Sequence, residues 1–289
     1  MHTLGLHVSR RVVRAVLIDD GSAVVASTSA DSGDPVAQIG EVVGQAAGGR
    51  TVARAAIALD SPDAFDHAVV KQAFAAVQPS VEPQIVPAGA AAVSVEVWKG
   101  AAQGARHAIC LWIGETVFAG LFLDGRPWTG AHGQAGSAAW LALNPVERQD
   151  YRKFGSLAAE VSDKGIARRL AWRIQAGDSS AVLERAGDLE AITATHVYEG
   201  ARGGDGVSIS VVRDAAKYIG MAIANLANAM DPEVVVISGP VAAYGDLLLE
   251  PARQECVRRL APPLVETFRC EISPLGADAV ALGAARLAG

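Results

Sequence analysis

The chain has 289 residues, of which 51% are hydrophobic and 19% charged, and its formal net charge is -6. A chain of this composition builds a well-packed core, which excludes an intrinsically disordered protein, and its length accommodates about two domains. The negative balance provides no general attraction to nucleic-acid phosphates or anionic lipids, and no segment approaches the ~20 apolar residues of a membrane helix. We therefore expect a protein that binds neither nucleic acid nor a membrane.

The chain enters a strand-like run directly after Met1, with neither the basic nor the apolar region of a signal peptide. The cysteines Cys110, Cys256 and Cys270 are too few and too scattered for a disulfide framework or a zinc site. These features predict a cytoplasmic protein with reduced thiols and no bound metal.

The first third of the chain opens with short β runs joined by tight turns. This spacing predicts an antiparallel meander rather than a parallel βαβ opening, and helices alternate with strands after it. The predicted elements are strands at 4–8, 12–18 and 23–27, a helix at 35–47, a strand at 55–59, a helix at 66–77, a strand at 85–86 and a helix at 90–101.

A second meander begins at 108–113 and continues through 117–123 to a turn at 124–127. Two halves that each open with a meander and continue into helices are typical of a duplicated α/β fold. The remainder is mostly helical, interrupted by the run 234–237, which predicts a fully buried strand. The helices are predicted at 155–174, 179–186, 190–202, 207–230, 247–260 and 279–287.

Several segments resemble the ROK family, whose name abbreviates repressors, open reading frames and kinases. The clearest is 225–241 (NLANAMDPEVVVISGPV), which resembles that family's helix, buried strand and glycine turn. Further likeness is found in 130–136 (GAHGQAG), 197–205 (VYEGARGGD), 245–251 (GDLLLEP) and 275–285 (LGADAVALGAA). The resemblance covers nearly the whole chain without large gaps.

The resemblance implies an α/β protein with the two-domain actin-like fold of the hexokinase (ASKHA, ribonuclease H-like) class, in which ATP and a sugar meet in an interdomain cleft. The small domain would comprise 1–106 plus 277–289, and the large domain 107–276. A homodimer is also implied, since dimers are common in the family. Family repressors carry an N-terminal helix-turn-helix, for which the predicted elements offer no counterpart, so we expect no DNA binding.

The positions that bind phosphate in family kinases are altered here. The opening Asp-x-Gly-Gly-Thr hairpin aligns with residues 7–11, so that Arg10 and Arg11 replace the glycine and threonine positions of the turn and the carboxylate is missing. The second phosphate loop, usually glycine-rich, begins with Gly114 and Glu115, and a glutamate there would repel a triphosphate. Three arrangements stay open: an arginine pairs with Glu115, all three charges point into solvent, or the arginines hold an anion.

The catalytic base is also missing at its aligned position. The family's Asn-Asp-Ala-Asn aligns with 88–91, where Gly89 stands in place of the aspartate that would take the sugar hydroxyl's proton. Ala88 and Ala91 replace the sugar-binding asparagines. Glycine has no side chain that accepts a proton, so the alignment predicts no catalytic residue at this position. Removing a general base alone typically costs ~10²–10⁴ in rate.

The sugar and zinc positions of the large domain have changed in the same way. Ser137 and Trp140 align with the glutamate and histidine of the family's Glu-x-Gly-His, and Ala158 aligns with a further sugar-binding glutamate. Tyr151 and Ser156 align with zinc-ligand cysteines, so no zinc is expected. Loss of polar function at several separate positions within a recognisable framework indicates a degenerate catalytic centre.

Two classes of function follow from the resemblance. The first is a catalytically degenerate, pseudokinase-like homologue that binds a small-molecule sugar or a partner protein and needs no cofactor. The alternative is an ATP-dependent sugar kinase, for hexoses or amino sugars, whose rearranged active site would use ATP and magnesium. The turn Ser238-Gly239 retains part of the adenosine side of the family site, and either nucleotide binding or a purely structural turn explains it.

Three further residues near these positions have alternative interpretations. His7 is either a lone polar residue at a strand end or a ligand or base. Glu96 follows the missing base by about two helical turns, which makes it a poor substitute. Trp140 either stacks against a sugar ring or is buried in the space that the family's histidine and zinc would fill.

Overall fold

A computed structural model describes residues 1–30, 33–60 and 65–289 of the chain. Its tertiary contacts form two compact units. Unit 1 comprises Met1–Cys110, Gly120–Gly136 and Leu275–Gly289, and unit 2 comprises Leu111–Ala119 and Ser137–Pro274.

The first sheet lies in unit 1, and its strands are β1 (His2–Val8), β2 (Val13–Asp19), β3 (Val24–Ala30), β4 (Val52–Leu59) and β5 (Gln84–Pro87). Their order is β3-β2-β1-β4-β5. The strands β1, β2 and β3 pair antiparallel, which confirms the predicted meander, whereas β4 and β5 are added in parallel beside β1. The parallel register aligns Val8 with Leu59 and Leu59 with Pro87, so these three strands end at the same edge of the sheet.

Helices make up most of the remaining described residues. They are α1 (Pro35–Ala47), α2 (His67–Ala75), α3 (Ala88–Lys99), α4 (Gln149–Phe154), α5 (Ser156–Val161), α6 (Asp163–Gln175), α7 (Ala181–Ala186), α8 (Ala194–Arg202), α9 (Gly206–Met230), α10 (Gly245–Val257), α11 (Pro262–Val265) and α12 (Ala279–Ala288). None of the helices described is both long enough and apolar enough to cross a bilayer.

The two faces of the first sheet are covered by different helices. Leu4 and Leu6 of β1 belong to the buried cluster that also contains Ile39 of α1 and Phe74 of α2. The opposite face is closed by α12: a Cβ added to Gly5 would lie 1.9 Å from the backbone oxygen of Ala281. Alternation along β1 therefore directs bulky side chains to one face and leaves a glycine where a helix backbone touches the other.

The second sheet consists of β6 (Ala108–Ile113), β7 (Val117–Leu123), β8 (Arg126–Trp128), β9 (Val234–Ser238) and β10 (Cys270–Ile272). Its order is β10-β9-β6-β7-β8. Read from β8, this repeats the order of the first sheet, in which a three-stranded meander is followed by two later strands beside its first strand. The duplicated α/β architecture predicted from the sequence is confirmed.

The single helix predicted over 155–174 is wrong, because Ser162 divides it into α5 and α6, and the separate helix α4 precedes it. Gly155 adopts φ 88 between α4 and α5, and a Cβ there would lie 2.2 Å from the backbone oxygen of Ala139, so the chain must turn at a glycine. Ser162 then separates α5 from α6, and its Oγ accepts from the backbone N–H of Gly165 at 3.2 Å.

Two short strands escaped the sequence analysis. Arg126–Trp128 lies at the end of the predicted turn but pairs with β7 as a strand, while Asp124 and Gly125 form the turn with positive φ. Cys270–Ile272 pairs in parallel with β9 as a strand of only three residues. Runs this short carry too little periodicity to be distinguished from loops.

Candidate functional site

A buried histidine and aspartate meet where two parallel strands of unit 1 end. His7 lies in β1 opposite Ala58 of β4, and Asp60 follows directly after β4. His7 Nε2 lies 2.5 Å from Asp60 Oδ1, and the two side chains are only 7% and 5% exposed. The interpretation of His7 as a lone polar residue is therefore wrong, because parallel pairing brings it to a carboxylate 53 residues away in sequence.

The hairpin between β1 and β2 carries Arg10 and Arg11 at its exposed tip. Ser9 engages two backbone donors of this turn: its Oγ accepts from the N–H groups of Arg11 at 3.3 Å and Val12 at 2.9 Å. A phosphate held by a glycine loop would need such N–H groups as its donors. Because the amides of Arg11 and Val12 are engaged within the turn, they are not available as donors to the phosphates of ATP in this conformation.

The aligned base position lies at the start of α3. Gly89 is the second residue of this helix, between the buried residues Ala88 and Ala90, and Ala91 is also buried. The backbone oxygen of Gly89 lies against β7, since a Cβ on Gly120 would come within 1.9 Å of it. The first turn of α3 thus offers a closely packed backbone and no side chain that could accept a proton.

Glu96, the substitute considered for the base, is fully buried near the other end of α3. Its Oε2 accepts from the backbone N–H of Ala101 at 3.0 Å, and a Cβ on Gly100 would lie 2.0 Å from the same oxygen. The carboxylate stabilises the end of the helix, which agrees with the prediction that it is a poor catalytic substitute.

In unit 2, the second phosphate-loop position packs against the predicted adenosine-side turn. Gly114 begins the turn between β6 and β7, and a Cβ on it would lie 2.8 Å from Pro240 Cδ. Gly239 adopts φ 92 with its Cα against Ile113, where a Cβ would lie 2.5 Å from the backbone oxygen. The backbone N–H of Asp163 donates to the oxygen of Gly114 at 2.9 Å, which ties the turn to the start of α6.

These contacts explain the turn at Ser238-Gly239 by packing alone. Ser238 is 1% exposed, and the positive φ of Gly239 requires a glycine whether or not nucleotide binds. Glu115, at the tip of the β6–β7 turn, is partly exposed. Arg10 and Arg11 belong to unit 1 and Glu115 to unit 2, so their pairing stays a prediction.

The sugar positions of unit 2 come together at the short 3-10 turn Ala138–Trp140, here called the Trp140 turn. Ser137 precedes it, and α5, which carries Ala158, packs against it. The side chain of Trp140 is exposed, with 59% of the residue surface accessible. The interpretation that Trp140 is buried in the space left by histidine and zinc is therefore wrong, and stacking against a ligand stays open.

The residue at the aligned zinc-ligand position Tyr151 is buried instead. Its hydroxyl donates to Glu160, a carboxylate only 1% exposed that also pairs with Arg148 and Arg169. Burial raises the pKa of Tyr151, which keeps the phenol protonated as a donor at neutral pH. The sequence analysis missed Glu160, although a lone acidic residue in the apolar run 157–161 is a signal for a buried charge.

The residues at the aligned zinc-ligand positions determine whether zinc could bind here. Zinc sites use thiolate, imidazole and carboxylate ligands in a tetrahedral arrangement. Tyr151 supplies a phenol already bound to Glu160, and Ser156 supplies a hydroxyl that is buried without a hydrogen-bond partner in the described part of the chain. The residues present do not fit zinc, and no cluster of three or more His, Cys, Asp or Glu residues placed for a metal occurs within the described ranges.

We expect purified protein to contain no stoichiometric zinc, for the reason just given. Elemental analysis of protein purified without chelators, and of protein dialysed against a zinc salt, measures this directly. The detection of one zinc per chain would show that the alignment of residues 130–160 is wrong.

The cysteines are buried and free, as the sequence predicts. Burial raises the pKa of the Cys256 thiol to about 11 and that of Cys270 to about 12. Both thiols therefore stay protonated at neutral pH, which makes them poor nucleophiles.

Two sheets of the same strand order, each opened by a meander, place this protein in the actin-like α/β class to which sugar kinases belong. Comparison with known proteins gives the family. The ROK family sequence profile matches residues 86–289, and the chain belongs to the ROK family. Residues 7–11 precede the matched region, so their comparison with the family hairpin depends on the fold.

Curated relatives and solved structures agree with this assignment. A glucokinase from Halalkalibacterium halodurans is 33% identical over 190 residues, which are 65% of this chain and 58% of the relative. A glucokinase from Thermotoga maritima is 30% identical over 193 residues, 66% of this chain and 61% of the relative. The chain thus spans 58% and 61% of the length of these curated relatives.

The ROK family glucokinase from Streptomyces griseus, solved in complex with glucose and AMPPNP, superposes with a TM-score of 0.86 at 22% identity. The superposition covers 100% of this chain and 99% of that one. At this identity the likeness shows the actin-like fold, over both units of the chain.

Proposed function

We propose that this ROK-family protein is a sugar-kinase homologue that binds a sugar without transferring a phosphoryl group. The observation that carries the proposal is the aligned base position, where Gly89 lies in the tightly packed first turn of α3 and that turn carries no acidic side chain. The engagement of the hairpin amides by Ser9 supports it, because a nucleotide would lose donors that its phosphates need.

The exposed Trp140 beside Ser137 supports a sugar as the ligand. An indole face stacks on the C–H face of a pyranose, and a neighbouring hydroxyl supplies a hydrogen bond. The glucokinase from Streptomyces griseus, which shares this fold, was solved in complex with glucose. We also propose that a partner protein can bind the same surface and that the protein assembles as a homodimer.

Thermal unfolding in the presence of ligands tests the proposal. We expect a sugar such as glucose, N-acetylglucosamine or N-acetylmannosamine to raise the free energy of unfolding by ~2.7 kcal/mol at 100 times its Kd, whereas Mg-ATP leaves it unchanged. Trp140→Ala should remove the sugar effect and leave the unliganded Tm unchanged, because this side chain is exposed. Stabilisation by Mg-ATP would overturn the proposal.

A second candidate is an ATP-dependent sugar kinase with a rearranged site, and the His7–Asp60 pair is the observation that favours it. A histidine held by an aspartate is a common general base, and this pair lies at the carboxyl ends of parallel strands, where α/β proteins place their ligands. If this candidate holds, sugar-dependent ADP release will be abolished by His7→Gln, which removes the imidazole and keeps a polar side chain.

A further inference from the structure

A buried carboxylate ties three helices of unit 2 together. Glu160 of α5 is 1% exposed. Its Oε1 accepts from the hydroxyl of Tyr151 in α4 and from Arg148 Nη1 at 3.1 Å, while its Oε2 pairs with Arg169 of α6. A buried carboxylate is stable only when such partners replace its hydrogen bonds to water. The same contacts hold the tyrosine and the two arginines in place.

A second carboxylate extends the same network, here called the Glu160 cluster. Asp150 Oδ2 accepts from Arg148 Nη2 at 2.7 Å and from Arg168 Nη2 at 2.8 Å. Arg168 also donates to the backbone oxygen of Ala159 at 3.0 Å, and desolvation lowers its pKa. Charge-assisted hydrogen bonds thereby join the residue before α4, the helices α4 and α5, and one turn of α6.

The helices that this cluster joins are too short to keep their positions alone. Each of α4 and α5 has 6 residues, far below the ~12–15 at which an isolated helix becomes marginally stable in water. Both pack against the Trp140 turn. Gly155 between them touches the turn directly, since its Cβ would lie 2.2 Å from the backbone oxygen of Ala139.

We propose that Glu160 is a positioning residue for Trp140. Through Tyr151 and Arg148 it fixes α4, and through its own helix it fixes α5, so that the Trp140 turn has a rigid base. Removing the charge takes one ionic partner from Arg148 and one from Arg169, which keep Asp150 and Asp214, so that α4 is loosened and the exposed indole can leave its orientation. The part of this inference that concerns ligand affinity rests on the proposed sugar binding, whereas the part that concerns the order of the turn does not.

Glu160→Gln is the main variant, because glutamine keeps the size of the side chain and removes its charge. Glu255→Gln is the matched control: Glu255 is 9% exposed on α10 and pairs with Arg258 at 3.4 Å and Arg259 at 2.6 Å. Hydrogen exchange of the unliganded proteins is measured peptide by peptide. We expect exchange over 138–154 to accelerate by at least ~10-fold in Glu160→Gln and to stay unchanged there in Glu255→Gln.

Sugar affinity gives the second readout, with glucose as the probe in calorimetric titrations. We expect Kd for glucose to rise by roughly 10-fold in Glu160→Gln and to stay unchanged in Glu255→Gln, at a temperature where both variants are folded. If the unsubstituted protein binds no glucose, the proposed function fails on that point, and the exchange experiment still tests the positioning role.

The inference is overturned if exchange over 138–154 is unchanged in Glu160→Gln, or if it accelerates evenly across unit 2 as a general loss of stability would produce. Should Glu160→Gln fail to fold, Tyr151→Phe replaces it, because this variant removes one hydrogen bond and keeps the buried ring. A smaller acceleration confined to the same segment supports the proposal, and no acceleration contradicts it.

Discussion

We expect a kinase assay on this protein to detect no ATP-dependent phosphorylation of glucose, mannose, fructose, N-acetylglucosamine or N-acetylmannosamine. Loss of a general base typically costs ~10²–10⁴ in rate, and Gly89 supplies no proton acceptor. Phosphoryl transfer depends further on donors that hold the phosphates, and Ser9 engages two of those in the hairpin. A typical enzyme turns over at ~10 per second, and we expect the two losses together to lower that rate below detection.

A coupled ADP-release assay measures this turnover, with the Thermotoga maritima glucokinase as the active control. Gly89→Asp tests whether the base alone is limiting. We expect that variant to stay inactive, because the hairpin amides remain bound to Ser9, and the double variant Ser9→Gly with Gly89→Asp separates the two losses. Turnover near ~10 per second on any of these sugars by the unsubstituted chain would contradict the proposed function.

Much of the fold could be predicted from the sequence because its signals are local. Alternating β runs and tight turns identified both meanders, and the long apolar stripe of 207–230 identified α9 within one residue of its start. The break at Ser162 within the helix predicted at 155–174 could not be predicted in this way. Ser162 caps α6 by accepting from the backbone N–H of Gly165, a contact that helical periodicity does not reveal.

The sequence predicted which functional residues the candidate site lacks, but not which side-chain contacts it contains. Alignment to a family motif identified Gly89, Trp140 and Tyr151 as altered positions, because a motif compares residues one at a time. It could not pair His7 with Asp60 or gather arginines around Glu160, since both arrangements depend on which strands and helices become neighbours. Burial of Trp140 was wrongly expected: of the two aromatic residues at aligned zinc-ligand positions, Tyr151 is the buried one and Trp140 is exposed.

The buried pair of unit 1 gives the second large expected effect. We expect His7→Ala to lower the free energy of unfolding by ~3 kcal/mol, because it removes the imidazole that lies 2.5 Å from a carboxylate only 5% exposed. Urea unfolding monitored by circular dichroism measures the change as a lower midpoint. The matched control is His2→Ala in the same strand: His2 is partly exposed, its Nδ1 lies 3.3 Å from the backbone oxygen of Thr51, and its loss should change stability by less than ~0.5 kcal/mol.

A double-mutant cycle decides whether this effect belongs to the pair. If His7 and Asp60 stabilise each other, His7→Ala combined with Asp60→Ala will cost less than the sum of the single variants, since the second substitution removes the carboxylate that the first one left without its imidazole. The coupling should be at least ~1 kcal/mol for a buried hydrogen-bonded pair. Strict additivity, or a His7→Ala variant as stable as His2→Ala, would show that apolar packing alone holds the strand ends together.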